Sequence, residues 1–397
     1  MFYKVMQPRN HNEHHRVATP LELYFDLVYV VAIAAVAGGL HHALAAHHFA
    51  TGIWTFGISL FAVWWAWMNF TWFASAYDTD DVAYRIATMI QMFGSLILAI
   101  GITDVFEQES FSLMIVGYIV MRFALVYQWL RAAKSDRARS VTCLRYAIGI
   151  SLVQIAWGVM LFLPPAIMSY WLIVFIFAEL AVPVWAEKAE STTWHPHHIA
   201  ERYSLLTIIV LGEGILGAAN AIAPLMHTEI RWLTQAFPLG LGISALMFSL
   251  WWLYFKMPWA TLLEHNRRVR IAVLYGYGHY FIFGALIAVG AGLELVADSV
   301  KASVQNVTHS AQEHSVSPFL AMSVVSFSLA IYLSVVTLLR ARLNQGACNY
   351  HIIGYVFALA LTALSVLAVY FGMPLQWAIW FSVISPVAMI MLYQENQ

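Results

Sequence analysis

Apolar stretches of about 20 or more residues recur along this chain, separated by short polar or proline-containing breaks. A stretch of that length predicts a helix that crosses a bilayer, because a lipid interior offers no water to satisfy an open backbone. Twelve such runs are read, at about 21–45, 50–75, 83–105, 111–133, 141–163, 166–187, 203–225, 231–256, 270–297, 317–340, 349–371 and 374–393. Pro164-Pro165 divides the fifth from the sixth, and Gly372 to Pro374 divides the last two. The expected fold is therefore all-α, a polytopic integral membrane protein of about twelve transmembrane helices.

Three pairs of segments recur in the same order. Leu21-Glu22-Leu23-Tyr24 enters the first run and Ala200-Glu201-Arg202-Tyr203 the seventh. Trp64-Trp65 matches Trp251-Trp252, and Arg85-Ile86-Ala87 matches Arg270-Ile271-Ala272. Six is an even number of crossings, so duplication of a six-helix unit implies two parallel repeats, over 20–187 and 188–393, after a cytoplasmic N-terminal segment at 1–19. Chance matching between apolar segments is the competing account.

Charge sets the expected orientation. With the N-terminus inside, seventeen of the twenty Lys and Arg fall on the cytoplasmic side, Arg231 and Lys301 fall outside, and Arg122 lies within the fourth run. The positive-inside rule then places both termini in the cytoplasm. Composition agrees with lipid as the solvent: 61% of residues are hydrophobic and 10% charged, with a mean hydropathy of +0.71. Soluble domains carry about 25% charged residues. A net charge of −1 offers no basic surface, so nucleic acid is not an expected partner, whereas membrane lipids, an ion or small-molecule substrate and a second copy of the chain are. Cys143 and Cys348 both fall near cytoplasmic breaks, which argues against a disulfide, and residues 1–19 do not have the pattern of a cleaved signal peptide. Nucleotide-loop, nucleophile-elbow and metalloprotease motifs are missing, so neither an enzyme nor a cofactor is expected.

Ionisable groups inside the runs carry the candidate chemistry, since each costs on the order of 2.5–3.5 kcal/mol to insert and is usually paired or functional. Glu22 and Asp26 are one helical turn apart on one face, suited either to a proton relay or to pairing, Glu22 with Arg85 or Arg202. Glu213 lies roughly 16 Å into the seventh run, flanked by Gly212 and Gly214 that admit a close helix neighbour. His279 or Arg122 is its expected partner, a Glu–His couple being able to pass protons. Glu179, four residues before Pro183, either lines a cavity or pairs with Arg122. Asp78-Thr79-Asp80-Asp81 reads as a solvated turn with one Asp capping the third helix and Asp81 pairing with Arg85; the alternative is a divalent cation site. The His pairs at 41–42 and 47–48 and the group His195, His197 and His198 have no recognised ligand spacing, so no metal is expected. The dense band Trp64, Trp65, Trp67 and Trp72 reads as packing, with the lining of a pathway as the other possibility.

Three segments resemble the bacterial low-temperature-requirement (LtrA) family of multi-pass membrane proteins. They are Leu21 to Ala34 (LELYFDLVYVVAIA), Trp64 to Phe70 continuing into Tyr77-Asp78-Thr79-Asp80-Asp81 and Arg85, and His198 to Tyr203 continuing into Ile208 to Glu213. Together with Arg122 they cover most of the first 215 residues. The resemblance implies a link to growth in the cold and no settled activity. A weaker likeness, through Phe25-Asp26-Leu27, is to six-plus-six cation channels that carry Phe-Ser-Asp in the first span of each repeat; the Ser is missing here, and the second repeat lacks the element. The leading expectation is an ion- or proton-coupled transporter or channel-like protein whose pathway runs near the repeat interface. Asp26, Glu213 and His279 would carry ions or protons, and Glu22, Glu201, Arg85 and Arg122 would hold the helices in register. A membrane-embedded enzyme acting on a lipid or quinone and a non-catalytic membrane protein are the alternatives.

Overall fold

The computed structural model describes residues 2–10, 13, 16–108, 110–162, 165–223, 232–265, 268–304, 316–343 and 349–392. Pro164, Arg231, Arg267 and Cys348 lie outside the described residues. The architecture is all-helical. In chain order come α1 (Pro20–Ala45), α2 (Phe49–Tyr77), α3 (Val82–Gln108), α4 (Ser112–Ser135), α5 (Ser140–Met160), α6 (Pro165–Ala186) and α7 (Pro196–Ile222). A π-helical turn (Trp232–Ala236) leads into α8 (Phe237–Phe255), followed by the short α9 (Trp259–Glu264), α10 (Val269–Val304), α11 (Pro318–Leu343), α12 (Asn349–Tyr370) and α13 (Leu375–Leu392). Among the described residues eleven helices are long and apolar enough to cross a membrane. The sixth expected run forms α6, but its described apolar stretch, Trp171–Ala186, is shorter.

The chain forms two compact units that interleave along the sequence. The first comprises Met1–Ala35, Ile58–Leu205 and Leu263–Val273, and the second Val36–Gly57, Leu206–Leu262 and Leu274–Gln397. These bounds differ from the 20–187 and 188–393 expected for repeats. The matched tryptophans also differ in surroundings: Trp64 and Trp65 are buried, whereas Trp251 and Trp252 are exposed.

In the first unit α3 turns large apolar side chains outward as a stripe at helical spacing, Ile86, Met89, Phe93, Leu96 and Ile100. Its inner face includes small residues among larger ones, Ala83, Ala87, Gly94, Ser95, Ala99 and Gly101. Gly94 and Gly101 on α3 and Gly117 on α4 sit so close to the opposing backbone that an added Cβ would collide with it. This is the packing expected in lipid, where apolar burial adds nothing between helices and close backbone approach supplies the attraction. In the second unit Gly214 of α7 meets Gly290 of α10 backbone to backbone. Hydroxyl pairs join α11, α12 and α13: Ser326 with Ser365 at 2.8 Å and Thr362 with Ser385 at 2.9 Å.

The described residues between 2 and 18 are tied down along the first unit. Ala83 N–H donates to the Phe2 carbonyl (3.2 Å), Lys4 N–H to Asp81 (2.6 Å), Arg9 N–H to the Ala76 carbonyl (2.8 Å) and Ala18 N–H to Glu201 (2.9 Å). The polar segment is thus a strap over the ends of α2, α3 and α7.

Candidate functional site

The main cluster lies in the first unit and begins with a helix cap. Thr19-Pro20-Leu21-Glu22 forms a capping box: Thr19 N–H donates to Glu22 Oε2 at 2.8 Å and Glu22 N–H to Thr19 Oγ1 at 3.3 Å, with proline at the first helical position. The cap folds the Glu22 side chain back at the start of α1, and Asp26 follows one turn later. The facing helix, α7, starts at Pro196 and not at the expected 203. Its first two turns therefore carry His198, Glu201 and Arg202, which polarity had assigned to a loop.

Arg202 binds both acids of α1. Its Nε and Nη2 donate to Asp26 at 2.9 and 2.6 Å, a bidentate fork, and its Nη1 donates to Glu22 at 3.0 Å. The Trp67 indole of α2 donates to Asp26 at 2.6 Å. His198 Nε2 approaches Glu22 at 3.0 Å, but without the alignment of a hydrogen bond. Glu22, Asp26, His198 and Arg202 are all at most 1% exposed. Two carboxylates share the Arg202 guanidinium, and charge balance there depends on His198, on the nearby buried Arg16 or on a bound proton. Glu201, half-buried, accepts the Ala18 N–H and so anchors the strap.

Of the two partners open to Glu22, the fold selects Arg202. Arg85 is exposed and forms a fork with Asp80, at 2.7 and 3.0 Å. The expected Asp81–Arg85 pair is corrected accordingly. Asp80 adopts a left-handed conformation (φ 43°), which an Asp tolerates, and the turn sends Asp80 outward and Asp81 inward. Asp81 then caps α3 by accepting the Tyr84 N–H at 2.8 Å, as one Asp of this group was expected to do, and it binds buried Arg131 of α4. The Arg85 hydrogen bonds hold the Asp80 carboxyl below the usual carboxylate range. Burial works against ionisation of Asp81, and the Arg131 and backbone donors outweigh it, leaving its carboxyl also below that range. Burial, with the Glu22 charge nearby, pushes Asp78 up to about 6.

A second buried pair in this unit joins Arg122 of α4 to Glu179 of α6 at 3.6 Å. Tyr118 links them, accepting from Arg122 and donating to Glu179 at 3.1 Å, and the Trp65 indole donates to Glu179 at 2.8 Å. Two tryptophans of the α2 band therefore serve as donors to buried acids as well as packing elements.

In the second unit Gly214 admits α10 beside half-buried Glu213, as its glycine neighbours suggested, while Gly212 faces open space. The expected Glu213–His279 couple is corrected, because His279 is held by other groups. His279 is fully buried, with Tyr254 Oη at 2.9 Å and the Tyr275 carbonyl at 2.7 Å, and aromatic rings surround it. One turn after Glu213, Gly217 lies against the Glu294 carboxylate, and Glu294 and Asp298 flank His41 at 3.8 and 2.8 Å. Sequence reasoning missed Glu294 and Asp298, whose four-residue spacing inside an apolar run was the available signal. Among the described residues no group of three or more His, Cys, Asp or Glu is placed to hold a metal ion.

A multi-helix chain clad in apolar side chains, with charges paired in its interior, defines a polytopic membrane-type protein. Residues 17–386 match the family described as bacterial low temperature requirement A protein (LtrA), and the chain belongs to that family. It is 27% identical over 300 residues to an uncharacterized protein of Rhizobium meliloti (strain 1021), covering 72% of this chain and 70% of that relative. No solved structure matches it.

Proposed function

We propose that this LtrA-family protein is an ion- or proton-coupled transporter or channel-like protein, not an enzyme. In this reading it has twelve spans, sits in the bacterial inner membrane with both termini in the cytoplasm, and supports growth at low temperature. The observation that carries the reading is the uneven charge of the α1–α7 cluster, two fully buried carboxylates sharing one guanidinium with a buried imidazole at 3.0 Å. Such a set admits two arrangements. In one, Arg202 bridges both acids; in the other, a proton or cation occupies one of them and Arg202 retains the other. Intramembrane ionisable groups of this kind are the usual carriers of proton and ion pathways.

The bidentate Arg202–Asp26 geometry favours one competing reading, a lock that only holds α1 to α7. Flux measurements in proteoliposomes separate the two. Wild-type protein is expected to carry protons or K⁺ down an imposed gradient, and Asp26→Asn protein that folds normally is expected to lose that flux. Flux that persists in Asp26→Asn points to the lock. If folded wild-type protein carries neither ion, the reading fails.

A further inference from the structure

Next to the Glu22–Asp26–Arg202 cluster lies a set of buried polar atoms that the ion pairs leave unused. Arg16 of the strap donates through Nη2 to the Ala74 carbonyl at 2.8 Å, and the Asp78 N–H donates to the same oxygen at 3.1 Å. Arg16 and Asp78 therefore meet at one backbone atom. Arg16 is 5% exposed, yet its Nε and Nη1 have no hydrogen-bond partner among the described residues. The Tyr84 hydroxyl on α3, 1% exposed, is in the same condition, and it lies within electrostatic reach of Asp78, Glu22, Arg202 and Arg16. Fully buried His198 has no aligned hydrogen bond at either ring nitrogen, although Glu22 is 3.0 Å away.

The strap and α3 thus each contribute an unsatisfied polar side chain to one neighbourhood, and α7 adds the His198 ring beside Glu22. A buried donor left without a partner carries its full desolvation penalty, and a charged donor carries more. Protein interiors relieve that cost with ordered water wherever several polar partners converge.

We propose that Arg16, Tyr84 and His198 enclose a short chain of internal water molecules joining Asp78 to Glu22, and that Asp78 is the carboxyl through which the cluster exchanges protons with the aqueous side. The direction of use rests on the proton-coupled reading above; the hydration does not. Asp78 is faced by Arg9 and Arg16 from the strap, Glu22 from α1, Asp80 from its own turn and Tyr84 from α3. Burial and the Glu22 charge push it up to about 6, so it gains and loses a proton near neutral pH. A proton leaving Asp78 passes to the adjoining water, which hands one of its own toward Glu22, so no charge is created beyond the one transferred. The strap bonds at Ala76, Asp81 and Glu201 hold Arg16 as the roof of this chamber.

Radiolytic hydroxyl labelling of the full chain in micelles, read by mass spectrometry, tests the water directly. Tyr84 is expected to take up oxygen several times faster than Tyr332, which is equally buried but donates to the Leu250 carbonyl at 2.8 Å. Infrared titration is expected to show a carboxyl band that ionises near pH 6, is lost in Asp78→Asn and is retained in Asp80→Asn. Proton flux in Asp78→Asn is expected to fall by an order of magnitude or more. Tyr84 labelling as slow as that of Tyr332 overturns the water chain. A titrating band that survives in Asp78→Asn, or proton flux equal in Asp78→Asn and wild type, overturns the port while leaving transport standing. Absence of wild-type proton flux removes proton transport and the port together, and the labelling result still decides the water chain.

Discussion

Replacing Arg202 with Met isolates the energetic logic of the cluster. The change keeps an unbranched side chain of similar length but removes two hydrogen bonds to Asp26 and one to Glu22. It leaves two carboxylates, each at most 1% exposed, one turn apart with no guanidinium between them. Removing one partner of a buried ion pair costs about 3–5 kcal/mol, most of it the penalty of stranding the other charge. Arg202→Met is therefore expected to destabilise by about 4 kcal/mol. Adding Asp26→Asn removes one stranded charge, and the double variant should recover about 2–3 kcal/mol relative to the sum of the two single effects. Reversible denaturant unfolding in mixed micelles, applied to wild type, both single variants and the double variant, measures this coupling. A coupling below about 0.5 kcal/mol, the level of independent sites, would refute the assignment of Arg202 as the shared counter-charge.

Asp78→Asn gives a pH-dependent prediction. The folded chain binds this proton more tightly than the unfolded chain does, so wild-type stability from this group is full below about pH 4 and is lost as pH rises through about 6. The Asn variant should therefore gain on wild type between pH 4 and 7.5, by at most about 3 kcal/mol; melting temperatures that track in parallel across that range would contradict it. Gly117→Ala should cost about 1–3 kcal/mol, because the added methyl meets the backbone of Leu98 and Gly94, whereas Gly158→Ala, which faces open space, should be near neutral in the same melts. Trp67→Phe should cost about 1.5–3 kcal/mol through loss of the indole bond to a charged Asp26, and Trp72→Phe, which loses a bond to neutral Tyr203, about 1 kcal/mol in the same unfolding assay.

Hydropathy determined which segments become helices and that lipid is their expected solvent, because both depend on composition local to each run. It also marked the atoms of interest: Glu22, Asp26, Glu179, Arg122 and Glu213 stood out as charges inside apolar runs. Where a break is made by proline or glycine the reading was close. Where a helix opens on polar residues it was late, and α7 begins seven residues before expected because His198 and Arg202 meet Glu22 and Asp26 of α1, and Glu201 meets the Ala18 N–H, in place of water.

Pairing was decided only by the tertiary structure. Asp26 and Arg202 are 176 positions apart, and nothing local distinguishes Arg202 from Arg85 as the partner of Glu22. A left-handed turn at Asp80 sends one arginine to the surface, while the early start of α7 brings the other inside. His279, expected beside Glu213, is held by Tyr254 and Tyr275, and Glu213 lies near Glu294. Periodicity says that a charge is buried. Which opposite charge or hydrogen-bond donor meets it depends on helix start points and on the glycine contacts that set how closely two backbones approach, and those arise only once the helices have packed.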